Sequence, residues 1–209
     1  MKDREIQELK KVMFRAIDPV IVSNIILPIE EDSKRGFIKW GENNDYPQYI
    51  NSLYMDVATL KSIIDGTVDY VVGDEIHIDD LVFDVQINDK GYTIEDLCRD
   101  LSSDYLKYGG FAVNVVRNKE GKIGGLYYIP FERLRFSEDR SEIYYSKDWE
   151  KSVGRVKYTV YPKFDAAAKD ANSIFVYTNN CTNVYPSPKW AASVKSAEIE
   201  RKVNEYHLN

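Results

Sequence analysis

Metal-type ligands gather most densely at Asp74-Glu75-Ile76-His77-Ile78-Asp79-Asp80. Strand alternation puts Glu75, His77 and Asp79 on one face, where two carboxylates and an imidazole suit a divalent cation and, through it, a metal-dependent hydrolase. The same pattern describes a solvated strand face, and the rest of the chain favours that reading. His77 and His207 are its only histidines, and no second His or Cys cluster completes a ligand set. The pairs Gly109-Gly110 and Gly124-Gly125 raise the question of phosphate binding. A phosphate loop runs from a strand through glycines into a helix N-terminus, whose free amides hold the anion. Here the order is helix, glycines, strand for the first pair and strand, turn, strand for the second. There is no Gly-x-Ser-x-Gly elbow and no evident Ser, His and acid set. The expectation is therefore a chain without catalysis, cofactor or metal.

Two further groups have chemical potential. Tyr144, Tyr145, Tyr158 and Tyr161 stand near Lys147, Lys151, Arg155 and Lys157, an imitation of the stacking platforms that hold single-stranded nucleic acid. A formal charge of -6 argues against a binder that works by phosphate neutralisation, so strand-face packing is the plainer reading. Cys98 on a helix face and Cys181 in a polar loop lack the spaced framework of a disulfide scaffold, which points to free thiols in a reducing compartment.

These residues must be positioned by secondary structure, and the clearest element is a helix over residues 93–108. Ile94, Leu97, Cys98, Leu101, Tyr105 and Tyr108 recur at offsets of three and four, with Asp96, Arg99, Asp100 and Lys107 on the other side. Thr93 is placed to cap it, Glu95 and Asp96 sit in its first turn, and Gly109-Gly110 allows the left-handed residue that ends it. A β-hairpin follows: Phe111 to Val116, a polar turn over residues 118–122, and a return over residues 126–129.

Upstream, residues 3–17 read as a helix with the stripe Ile6, Leu9, Met13, Ala16 and Ile17, stopped by Pro19. It is either a packed terminal helix or an arm that docks on a neighbouring subunit. Residues 20–29 read as a strand. Asp45 and Pro47 start a short helix, and a stronger one carries Val57, Leu60, Ile63, Ile64, Val68, Val71 and Val72, with Asp56 placed to cap it and Gly73 to close it. Gly66 in its middle suggests close packing against another element. Phe83, Val85 and Ile87 alternate as a strand into the turn Asn88-Asp89-Lys90-Gly91. Downstream, Ile143 to Tyr145, then Val156, Tyr158 and Val160, then Ile174, Val176 and Tyr177 mark strands, and the alanine-rich residues 164–171 suggest a brief turn of helix. The last helix is capped by Ser187 with Pro188 at its first position. Its stripe changes sides, with Trp190, Val194 and Ala197 on one face and Ile199, Val203 and Tyr206 on the opposite one, so it needs partners on two sides.

With 44% apolar and 30% charged residues over 209 positions, the chain is an ordinary globular protein of one or two domains. No apolar run approaches the ~20 residues that span a bilayer, and Met1-Lys2-Asp3-Arg4-Glu5 is too charged to open a signal peptide. The expected class is α+β, with amphipathic helices packed on antiparallel strands and hairpins. The expected organisation is a helix and linker arm over 1–35, a mixed domain over 36–186, and a final helix over 187–209.

Three segments in the same order resemble tailed-bacteriophage portal proteins. The first is GFIKWGENNDYPQYINSLY, leading into the helix that ends at Val72-Gly73. The second is the helix ending in Tyr-Gly-Gly, its strand, the Lys-Glu-Gly turn, Gly-Leu-Tyr-Tyr-Ile-Pro and Arg-Leu-Arg-Phe. The third is VYPSPKWAASVKSAEIERKVNEY. The resemblance implies that residues 36–186 are a portal wing and residues 187–209 the start of a stem helix, within a fragment or truncated relative that lacks clip and crown. It further implies a ring of subunits at one capsid vertex of a phage or prophage virion, assembled in the bacterial host cytoplasm. Its partners would be other copies of itself, the terminase, capsid and head-tail adaptor proteins, and DNA that passes without sequence-specific binding. No membrane is involved, and ATP hydrolysis belongs to the terminase. Subunit contacts would then use Trp190, Val194, Ala197, Ile199, Val203 and Tyr206, and the 209 residues alone would give a monomer or a weak, concentration-dependent oligomer. The alternatives are a small α+β interaction module unrelated to phages and the hydrolase built on Glu75, His77 and Asp79.

Overall fold

The computed structural model describes residues 31–32, 36–41, 43–73, 77–78, 81–82, 86–149, 156–179 and 183–208. The expected helix over 3–17, the strand over 20–29 and Cys181 lie outside them. Among the described residues there are four α-helices: α1 (Tyr46–Asp56), α2 (Ala58–Val72), α3 (Ile94–Tyr108) and α4 (Val194–Leu208). Ten strands accompany them: β1 (Glu31–Asp32), β2 (Phe37–Ile38), β3 (His77–Ile78), β4 (Leu81–Val82), β5 (Gly110–Arg117), β6 (Ile123–Tyr128), β7 (Leu134–Phe136), β8 (Glu142–Tyr145), β9 (Thr159–Pro162) and β10 (Asn172–Thr178). Two antiparallel three-stranded sheets have the orders β10-β5-β6 and β7-β8-β9, and β1-β2 and β3-β4 form short pairs. The class is α+β, as composition and patterning predict.

Local chemistry explains why α3 stands at the centre. Thr93 Oγ1 accepts from the Asp96 amide at 3.1 Å, and Asp96 Oδ2 accepts from the Thr93 amide at 3.0 Å, a reciprocal capping box that satisfies two otherwise free donors. The helix stops at Gly109, whose φ of 83° is left-handed. A side chain there would also run into the Ser187 carbonyl, because the segment leading to α4 crosses the backbone at this point. The inward positions are Leu97 and Tyr108 with Asp104 between them, while Ile94, Cys98, Leu101 and Tyr105 are half-buried. From its different sides α3 sends Leu97 and Leu101 toward β5 and β6, Leu106 toward α1, α2 and α4, and Tyr108 into the main core.

Several local expectations are corrected. Asp56 does not cap α2: it is the last residue of α1, and the extended, buried Val57 (φ -108°, ψ 101°) makes the bend between the two helices. Gly66 faces open space rather than a close neighbour, and Ile63 and Val71, expected in the α2 stripe, are exposed; Leu60, Ile64, Val68 and Val72 carry the buried face. Ser187 caps no helix. Pro188 leads into a 3₁₀ turn, Lys189–Ser193, that delivers Trp190 so that its Nε1 donates to the Leu106 carbonyl at 2.9 Å, and α4 begins only at Val194. Residues 164–171 form no helical turn; they bend around Arg117, whose guanidinium donates to the Asp165 carbonyl at 3.1 Å.

Candidate functional site

The three portal-like segments, far apart in sequence, meet in one core that contains Ile38, Trp40, Tyr46, Tyr108, Phe131, Phe136 and Tyr185. Trp40 and Tyr185 stack with ring centroids 4.6 Å apart and an interplanar angle of 6°. The Tyr185 hydroxyl donates to the Ile38 carbonyl and accepts from the Phe136 amide at 3.1 Å, so this one side chain ties β2 to β7. Burial raises the Tyr185 pKa, which keeps the hydroxyl a neutral donor.

Arg135 lies in the same seam with 0% of its surface exposed. Its guanidinium donates to the carbonyls of Glu132 (2.9 Å), Leu134 (2.7 Å) and Asn44 (2.9 Å), and to Asn44 Oδ1. It also lies 4.9 Å from the Trp149 ring centroid and 5.7 Å from that of Trp40. Desolvation lowers its pKa to about 10, still well above neutrality, so a full positive charge is held inside by oxygens and ring faces rather than by a carboxylate. Asn44 Oδ1 accepts from the Trp40 amide at 3.0 Å as well, and Asn44 itself is left-handed (φ 63°). The loop before α1 is thus locked onto β7.

Asp104 is the opposite case, a buried carboxyl with 2% exposure. Its Oδ2 accepts from the Tyr128 hydroxyl and from the Phe131 amide, each at 2.9 Å, joining α3 to the end of β6 and the turn beyond it. Burial pushes its pKa up to about 7. Lys107 at 3.8 Å and the two hydrogen bonds pull the other way without offsetting desolvation, and Glu132, which accepts from the Tyr108 hydroxyl at 2.9 Å, adds to the upward shift. Periodicity does not reveal either charged group.

Of the candidate metal ligands, only His77 falls within the described residues. His77 pairs with Val82 in the β3-β4 ladder, Glu75 and Asp79 lie outside the described residues, and among the described residues no group of three or more His, Cys, Asp or Glu is placed to hold a metal ion. The tyrosines near the lysines are packed: Tyr144 is buried with Phe37 and Trp149, Tyr158 stands edge-on to Tyr144 at 5.4 Å, and Tyr145 and Tyr161 rest on the main core. The cleft of about 400 Å³ beside them has Lys147, Lys157 and Asp148 in its lining, while Lys151 and Arg155 lie outside the described residues. Cys98 is a free, half-buried thiol. No helix among the described residues is long and apolar enough to cross a membrane.

The final helix divides as its stripe predicts. Val194 and Ala197 are buried against Leu53, Val57, Leu60 and Ile64, with Trp190 packed alongside, so this face is covered within the chain. The other face leaves Ile199, Val203 and Tyr206 exposed by 37%, 40% and 60%. Between them, Tyr49 of α1 donates to Glu198 of α4 at 2.9 Å and so ties the two helices, while Arg201 grips both Glu198 oxygens at 2.8–2.9 Å within α4. The outer side of α2 is open too, with Ile63, Tyr70 and Val71 all largely exposed. Among the described residues, α2 and α4 thus each present large apolar side chains at the surface.

No protein-family model and no curated protein matches the sequence. The fold is similar to chains in gene transfer agent (GTA) particles. A chain of the virion of the native GTA particle aligns with a TM-score of 0.53 at 12% identity, covering 76% of this chain and 43% of that one. A chain from the neck of the empty GTA particle computed with C6 symmetry aligns with a TM-score of 0.53 at 11% identity, covering 77% and 45%. Another, from the neck of the native GTA particle computed with C12 symmetry, gives 0.52 at 13% identity, covering 77% and 44%. The chain thus spans less than half the length of each of these three solved chains, and at these identities what is shared is the fold.

Proposed function

We propose that this chain is the wing and first stem turns of a portal-type subunit, a ring-forming structural component at the head-to-tail junction of a phage-like particle. The observation that carries the reading is the fold likeness over about three quarters of the chain to components of GTA virions and necks, particles built from multiple subunits. Convergence of the three portal-like segments around Trp40 supports the finer assignment to the wing. The protein acts as a scaffold without catalysis or cofactor. Its acidic balance suits a wall past which DNA slides without being gripped, and its open apolar faces suit packing between subunits. Terminase, capsid and adaptor proteins are its partners, in a virion or prophage-derived particle assembled in the bacterial cytoplasm.

Electron microscopy of particles carrying a tag on this protein tests the reading. The expected result is label at a single vertex, at the head-to-tail neck, with DNA-free heads when the gene is disrupted. Label scattered over the capsid, or absent from particles, would overturn it. Purified protein with magnesium and ATP is expected to show no turnover, and turnover that tracks a point substitution would refute the non-enzymatic assignment.

A further inference from the structure

Two helix faces that the described elements leave uncovered share one spacing. The solvent side of α2 carries Ile63, Gly66 and Tyr70: Ile63 is 62% and Tyr70 89% exposed, and a methyl group at Gly66 meets nothing within 4 Å. The side of α4 opposite Val194 and Ala197 carries Ile199, Val203 and Tyr206, all exposed. The steps are three then four residues on α2 and four then three on α4, the alternation of a helix-helix seam. First and last members are seven positions apart in both sets, a length of about 10 Å at a rise of 1.5 Å per residue. Packing within the chain uses other sides of α4. Leu53, Val57, Leu60 and Ile64 cover its inner face, and on its flanks Glu198 accepts from Tyr49 and Glu200 from the Thr59 amide at 3.2 Å.

Followed from its C-terminal end, α4 presents Tyr206, Val203 and Ile199 at steps of three and four, the order found on α2. In an antiparallel pairing the layers are therefore Ile63 with Tyr206, Gly66 with Val203 and Tyr70 with Ile199. Their sizes are complementary. A ring meets an aliphatic side chain at both ends, and in the middle valine meets glycine, whose missing side chain lets the helices approach closely. A parallel pairing puts the steps out of phase and sets Tyr70 on Tyr206. The charges favour the antiparallel register as well. Asp69 stands just before Tyr70 on the flank of α2, and Lys202 just before Val203 on the flank of α4, so the register brings the two between the same pair of layers. Asp69 keeps 70% side-chain exposure although it accepts from Arg99 of α3.

We propose that the outer face of α4 in one copy packs antiparallel along the outer face of α2 in the next copy, with Val203 seated on Gly66. Donor and acceptor are different surfaces, so the contact is head-to-tail and passes from copy to copy instead of closing as a two-fold pair. It deepens the ring reading above and rests on it for its biological setting, while its own test needs only the purified chain.

Sedimentation velocity of the full chain over a range of concentrations provides that test. The wild type self-associates. The α2 variant Ile63→Ser/Tyr70→Ser and the α4 variant Ile199→Ser/Val203→Ser each weaken association by about tenfold or more, with thermal transitions intact because these side chains are already exposed. Mixed together, the two variants form a pair that grows no further, since each retains one good surface. If the α2 variant melts early, Gly66→Gln replaces it, because its side chain fills the space that Val203 needs and meets no described neighbour. Asp69→Lys and Lys202→Glu each weaken association a few-fold, and mixing the two restores it. Failure of that rescue overturns the antiparallel register. A wild type that stays monomeric at every accessible concentration, or association untouched by these variants, overturns the contact. Loss through the α4 variant alone, with the α2 variant unaffected, overturns it too, since α4 would then meet another α4 or a different surface. Association that follows the variants as expected, with tagged protein absent from the neck of particles, would uphold the contact and remove the ring reading. Label at the neck with association indifferent to the variants would do the reverse.

Discussion

The seam around Trp40 and the outer side of α2 invert the usual distribution of residue types. In the seam a full positive charge, Arg135, is completely buried and donates to three backbone carbonyls and to Asn44 Oδ1. On α2 a run of large apolar side chains faces outward, Tyr70 with 89% of its surface exposed. The difference separates the surfaces that the described elements complete among themselves from those they leave open. Interior polarity is tolerated where hydrogen bonds converge from several segments, and exterior apolarity persists where none of the described elements covers it.

Removing the buried charge is the most forceful way to break that contrast. Arg135→Met keeps a long apolar stem but strands the carbonyls of Glu132, Leu134 and Asn44 in a dry seam, where each unpaired group costs about 1–3 kcal/mol. Denaturant unfolding is expected to show a loss of at least about 3 kcal/mol, and Arg135→Lys is expected to recover only part of it, because an ammonium cannot reach the same fork of acceptors. A loss under about 1 kcal/mol would mean that the seam does not depend on its guanidinium.

Asp104 tests the same contrast from inside the core, through pH. Its folded pKa, about 7, lies above the ordinary 3.8, so between those values the folded state holds a proton that the unfolded state has released. Stability from this group is therefore fully present below the unfolded pKa and falls as pH rises toward 7, by up to about 1.4 kcal/mol per pH unit. Asp104→Asn removes that slope: the variant is expected to gain on the wild type steadily between pH 4 and pH 7. Parallel stability profiles for the two proteins would show that Asp104 is ionised in the fold and that Lys107 outweighs burial.

Much of this architecture is legible in the sequence because its causes are local. The capping box of α3, Gly109 at its end and the hairpin turn at residues 118–122 involve partners within a few positions, so spacing alone locates them. The two-faced α4 is legible for the same reason, although its start slips from Ser187 to Val194 because a 3₁₀ turn intervenes. Long-range effects are not legible. Arg135 is bound by Asn44, 91 residues earlier, and Asp104 by the Phe131 amide 27 residues later, so both read in sequence as surface charges. The ring contacts of Phe111 with Phe175 and Tyr177 escape for a similar reason: all three read as ordinary strand residues until the β5-β10 register brings them together.

Gly66 offers the smallest effect and the sharpest reading of the outer side. A helix-interior glycine costs about 1 kcal/mol relative to alanine, and spacing alone suggests that such a cost is offset by a neighbour packed too close for a side chain. A methyl group built there meets nothing within 4 Å, so no described residue supplies such a neighbour. For the isolated protein Gly66→Ala is therefore expected to raise stability by up to about 1 kcal/mol, a shift of a few degrees in thermal unfolding for a chain of this size. If the melting temperature of dilute protein falls instead, something covers that face of α2 closely in solution, and the contrast between a finished interior and an open exterior fails at its plainest point. If dilute protein is stabilised while particle assembly is impaired, the glycine is kept for a contact made only in the assembled state, and the open face is one that another molecule completes.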